Sequence, residues 1–112
     1  MAKITLNIYA ADRETIEKQY TAEGYDLTMG TLEDFVQLID IDRMNDANEL
    51  AKMILKAYGQ VKDLLQDVFR GEITDEHWRR VRISDLIFTI TQIGHAVLDN
   101  VRILSQGNAR RA

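Results

Sequence analysis

The residues whose types could carry chemistry are few and poorly spaced for it. His77 and His95 are the only histidines. They fall on different predicted helices, and His77 lacks the i+4 histidine or cysteine that a zinc site needs. Asp40-Ile41-Asp42 opens like a calcium loop. Such a loop wants an oxygen ligand fifth, glycine sixth and glutamate twelfth, and those places hold Met44, Asn45 and Ala51. Ser84-Asp85 has no neighbouring base to activate a serine. The six glycines are scattered, so none forms a phosphate loop, and there is no cysteine for thiolate chemistry. The residues therefore specify no catalytic site, no metal and no cofactor. One basic and aromatic cluster stands out, His77-Trp78-Arg79-Arg80-Val81-Arg82. It suits docking of a short helix through Trp78 and Val81 with the arginines solvated, contact with an acidic partner through Arg79 and Arg80, or contact with phosphates.

The elements that must position these residues follow from periodicity. Ile4, Leu6 and Ile8 alternate with Lys3, Thr5 and Asn7, which predicts a half-buried strand. Residues 15–21 alternate more weakly, and Tyr25, Leu27 and Met29 form a third short run. Two or three antiparallel strands are expected, packed on helices because a lone hairpin is marginal in water. Thr31 is placed to cap a helix to about residue 41 that buries Leu32, Phe35, Leu38 and Ile39. Residues 46–70 carry Ala47, Leu50, Ala51, Ile54, Tyr58, Val61, Leu65 and Val68 at helical intervals, with Leu55, Leu64 and Phe69 widening the stripe. One rod of roughly 25 residues and almost 40 Å is expected, ended by Gly71.

Thr74 starts a short helix with acids first and arginines last, as the helix dipole favours. Ser84 is a cap candidate for a final helix over 85–105. Its seam runs through Ile87, Ile90, Gly94, Val97, Val101 and Leu104, broadened by Leu86, Ile93 and Leu98. That seam is expected to pack on the 46–70 helix. Gly59 and Gly94 lie inside predicted helices, either as tolerated defects or to permit close approach. Residues 106–112 have no period and are expected to be a disordered tail.

These elements make an α+β domain, mainly α, with a short N-terminal antiparallel β-ribbon packed on about four helices over residues 1–105. A length of 112 residues fits one domain, and 46% hydrophobic residues suffice for a core. No apolar run is long enough for a membrane span, and the N-terminus lacks a signal-peptide pattern. Cytoplasmic residence and no membrane partner are the expectation. The net charge of −4 is unevenly placed. Residues 1–50 hold 4 Lys/Arg against 11 Asp/Glu, a net −7, and residues 51–112 hold 10 against 7, a net +3. An acidic first half weighs against nucleic-acid binding and fits a partner with basic patches.

Four stretches carry a family resemblance: KITLNIYA; YDLTMGTLEDFVQLIDIDRMND; the DVFRG junction followed by ITDEHW; and DLIFTITQI. Together, over residues 3–101, they resemble the tail assembly chaperones of long-tailed, siphovirus-type bacteriophages and prophages of Gram-positive bacteria. The resemblance implies a non-enzymatic factor that binds the tape measure protein. It keeps that long helical chain soluble while the tail tube protein polymerises around it, and is then displaced. It would act in the cytoplasm of the bacterial host and be absent from the mature virion. Such proteins often occur in two forms, the longer made by frameshift, and this chain would be the short one.

On that expectation, Glu33, Asp34, Asp40 and Asp42 steer basic segments of the partner. Trp78, Arg79 and Arg80 form a second candidate contact. Phe88 and Leu98 offer apolar surface for a homo-oligomer, and the major tail tube protein is a further candidate partner. The alternative class is a small helical DNA-binding regulator using residues 74–82 in a helix-turn-helix, which the net charge and the lack of a second basic helix disfavour.

Overall fold

The computed structural model describes residues 3–100 in full and traces the last helix through Arg111. The expected tail at 106–112 and the seam positions Val101 and Leu104 lie outside the fully described residues. The fold is α+β and mainly α, as the periodicity predicts. Strands β1 (Lys3–Tyr9) and β2 (Ile16–Glu23) form a two-stranded antiparallel ribbon. Five helices follow: α1 (Met29–Leu38), α2 (Ala47–Lys56), α3 (Tyr58–Val68), α4 (Asp75–Arg79) and α5 (Ile83–Arg111). Short 3-10 turns at Gly24–Asp26 and Ile41–Arg43 connect them.

Alternation in β1 puts Ile4, Leu6 and Ile8 on one face, and all three are fully buried. Across the ribbon Leu6 pairs with Tyr20 and Ile4 with Ala22. The register slips between Ile8 and Tyr9, where Ile8 faces Lys18 but Tyr9 faces Ile16. Glu17 is therefore an extra residue in β2, and a bulge of this kind re-aims its side chain.

The outer edge of β1 is covered by α5. The Thr5 backbone N–H donates to Gln92 Oε1 at 2.9 Å, and its carbonyl accepts from Thr89 Oγ1 at 2.6 Å. An open strand edge is otherwise a row of unpaired polar groups. The helix thus lies chiefly across β1, with lesser contact to α2. It buries Leu86, Thr89, Ile90, Ile93, Ala96 and Val97, where packing on the whole 46–70 segment was expected.

Four further expectations are corrected. The third strand is absent: Tyr25 lies in a 3-10 turn, and Met29 opens α1. The cap of α1 is Thr28, whose hydroxyl accepts from the Thr31 N–H at 3.2 Å, and this local bonding outcompetes the weak alternation. Thr31 is instead buried, and its hydroxyl donates to Asp67 of α3. The rod over 46–70 is two helices, broken where Ala57 takes φ −123° and ψ 39°. With the break, α3 packs on α1 while α2 meets α5. Leu55 is largely exposed and Tyr58 about half exposed, although the helical pattern placed both on the buried stripe. Ser84 lies inside α5, because the first helical bond runs from the Leu86 N–H to the Arg82 carbonyl.

Gly59 and Gly94 have opposite roles. A Cβ on Gly94 would overlap Met44 Sδ, come within 2.9 Å of its Cε and meet Phe35 Cζ at 3.2 Å, while one on Gly59 meets nothing within 4 Å. Gly94→Ala is expected to destabilise the fold by about 1–3 kcal/mol through overpacking. Gly59→Ala is expected to stabilise it by up to about 1 kcal/mol through helix propensity. Urea unfolding of the two variants checks the pair of signs.

Candidate functional site: an acidic depression, a polar network and an arginine cleft

The sequence-selected residues do not converge on one surface. Glu33, Asp34, Asp40 and Asp42 are all exposed, on α1 and the turn that follows it. Asp40 caps that turn by accepting from the Asp42 N–H at 3.0 Å, and it pairs with Arg43 at 3.5 Å. Asp40, Asp42 and Arg43 rim a depression of about 480 Å³ whose apolar wall is Val36, Leu38, Ile41 and Met53. Val36 is 51% exposed there. Through Gln37 and Leu38 the depression adjoins a smaller cleft of about 170 Å³ between α1 and α3, where Asp34 and Asp63 lie. An apolar floor with acids at the rim can seat the apolar side of a partner helix while its basic side chains meet the carboxylates.

The α4 region is organised differently. Trp78 is buried, its indole N–H donates to the Tyr58 hydroxyl, and the two rings are 5.8 Å apart. Its contribution is to dock α4 on α3. His77 Nδ1 lies 2.6 Å from the Tyr20 hydroxyl, and its Nε2 lies 3.2 Å from Glu17 Oε2. A neutral imidazole protonated at Nε2 satisfies both contacts, accepting from tyrosine and donating to glutamate. Arg80 grips the same carboxylate at 2.8 and 3.2 Å and reaches the Tyr9 carbonyl and Glu76. The Tyr20 residue is only 4% exposed, so its hydroxyl ties β2 to α4 and is not open to a substrate. Tyr20 belongs to the weak alternation of residues 15–21, whereas the bulge at Glu17 leaves no signal in the sequence.

Arg79 is exposed, and with Arg80, Arg82, Arg13 and Tyr9 it lines a cleft of about 370 Å³. On α5, Phe88 is 56% and Leu98 36% exposed, on the same side as exposed His95. Among the described residues no group of three His, Asp or Glu side chains is placed to hold a metal ion, and no helix is long and apolar enough to cross a membrane.

Glu17 and Asp85 are shifted in opposite directions. The hydrogen bond from Arg80 holds Glu17 below its ordinary 4.5. A depressed carboxylate adds stability above its unfolded value, and that stability is lost as pH falls through the folded one. Burial pushes Asp85 above its ordinary 3.8, against the pull of Arg82, and its Oδ2 is buried without a partner. Here the sign reverses: stability is greatest below the ordinary value and is lost as pH rises through the raised one.

Glu17→Gln should therefore lower Tm at neutral pH and flatten the fall in Tm below about pH 4.5. Asp85→Asn should leave Tm little changed in acid and raise it at neutral pH. Calorimetry across the pH range checks both variants.

No family model matches the chain, and no curated protein and no solved structure matches it either.

Proposed function

We propose that the chain is a non-enzymatic tail assembly chaperone that binds a phage tape measure protein and keeps it soluble during tail tube assembly. The observation that carries this is the depression between α1 and α2, where Val36, Leu38, Ile41 and Met53 lie beside Asp40, Asp42 and Arg43, joined to the family resemblance over residues 3–101. A tape measure chain exposes long apolar helical faces, and contiguous apolar patches seek partners. Val36, Leu38, Ile41 and Met53 offer such a face a seat. Glu33, Asp34, Asp40 and Asp42, all exposed, steer its basic segments. Weak, repeated binding along a long chain suits later displacement by tail tube protein. The host cytoplasm as workplace and absence from the mature virion belong to the same proposal, as does self-association through Phe88 and Leu98. A DNA-binding regulator draws no support from α4, which is five residues long and holds Trp78 buried.

Co-expression with the tape measure gene of the same phage tests the proposal. A soluble complex with many copies of this chain per tape measure is the expected result. An insoluble tape measure, with no contact in a pull-down, overturns it. Replacing the four acids by their amides should slow association about tenfold and flatten its salt dependence, since rim charges act mainly on the on-rate. Asparagine still caps at position 40, so the melting temperature should hold.

A further inference from the structure

We propose that the arginine cleft beside the ribbon turn docks an acidic segment of a partner protein, at a place separate from the acidic depression. The cleft is built by three elements. The β1–β2 turn is held by Asp12, which accepts from the Glu14 and Thr15 N–H groups at 2.9 Å each and from the Thr15 hydroxyl at 2.7 Å. This turn fixes Arg13 in the left-handed region at φ 62°, an arrangement unusual for a long side chain. Helix α4 supplies Arg79 and, at its C-cap, Arg80, and the connection to α5 supplies Arg82. The Arg82 guanidinium stacks on Tyr9, 3.6 Å from the ring centroid.

The charges in the cleft are not balanced from within. Arg80 is matched by Glu17 and Glu76. Arg13, Arg79 and Arg82 have no carboxylate within ion-pair distance among the described residues. Asp85 feels the Arg82 charge without pairing with it. Three guanidiniums without an ion-pair partner among the described residues, set around a concavity of about 370 Å³, are suited to carboxylates, which they grip with paired N–H donors.

The flanks favour a peptide over a phosphate chain. Ile16, the ribbon partner of Tyr9, is 48% exposed, and Ile83, next to Arg82, is 57% exposed. Arginine and aromatic groups set among apolar ones are the composition of protein interfaces. The net charge of −4 repels a long polyanion while leaving this local basic cleft open to a short acidic segment.

Titration of the full chain, followed by NMR and calorimetry, tests the proposal with three probes at one ionic strength: a capped glutamate hexapeptide, inorganic phosphate and a short DNA duplex. The peptide should bind best, with shifts centred on Tyr9, Arg13, Arg79 and Arg82. Arg79→Gln and Arg13→Gln should each weaken it about tenfold, the loss of one charge-assisted contact. Arg43→Gln, on the turn after α1, should leave it unchanged. Arg79 is exposed, so its variant tests the cleft even if Arg82→Gln, which loses the Tyr9 stack, unfolds. Absence of peptide binding, equal weakening by Arg43→Gln, or tighter binding of phosphate or DNA overturns the proposal.

Discussion

The contact between α5 and the outer edge of β1 is the constraint on which the rest of the structure depends. A two-stranded ribbon has two open edges and one apolar face, and it is not stable alone. Here Gln92 and Thr89 satisfy the Thr5 backbone on the edge, while Leu86, Ile90 and Ile93 join the cluster that buries Ile4, Leu6 and Ile8. Thr89 is fully buried, and its hydroxyl bonds both Thr5 and its own helix. Once α5 is fixed across the ribbon, Gly94 lets Met44 and Phe35 come in close. The segment after α1 is thereby drawn onto the core.

The second side of the ribbon is held by charge and aromatic contacts. The bulge at Glu17 turns one carboxylate toward α4, where Arg80 and His77 share it. Trp78 and Tyr58 close the same helix against α3. A five-residue helix has little stability of its own, so these contacts determine where α4 sits. The arginines not used in them face outward beside the turn.

The resulting surface has two chemically distinct faces. The α1 side carries acids around exposed Val36, and the α4 side carries arginines around Tyr9. The division follows the chain only in part, since Arg13 of the acidic first half joins the arginines of the second. A protein with such faces is suited to selecting partners by charge, because complementary potentials favour the right encounter and penalise the wrong one.

The sequence by itself determined the β-ribbon-plus-helices class, the buried face of β1, the start of α4 at Thr74, whose hydroxyl accepts from the His77 N–H at 3.1 Å, and the charge division between the halves. Each depends on neighbours within a few residues, through strand alternation, capping bonds or composition. What only the tertiary structure decided was the break at Ala57, the turn in place of a third strand, the seat of α5 on β1 and the gathering of Arg13 with Arg79 and Arg82. Residues 46–70 have a pattern that suits one straight helix, yet α2 and α3 must meet different partners, α5 and α1. Periodicity reports that a face is apolar and is silent on what covers it. Arg13 and Arg82 are brought to one cleft by a turn and a connection whose geometry is set by long-range packing, and no spacing along the chain encodes that meeting.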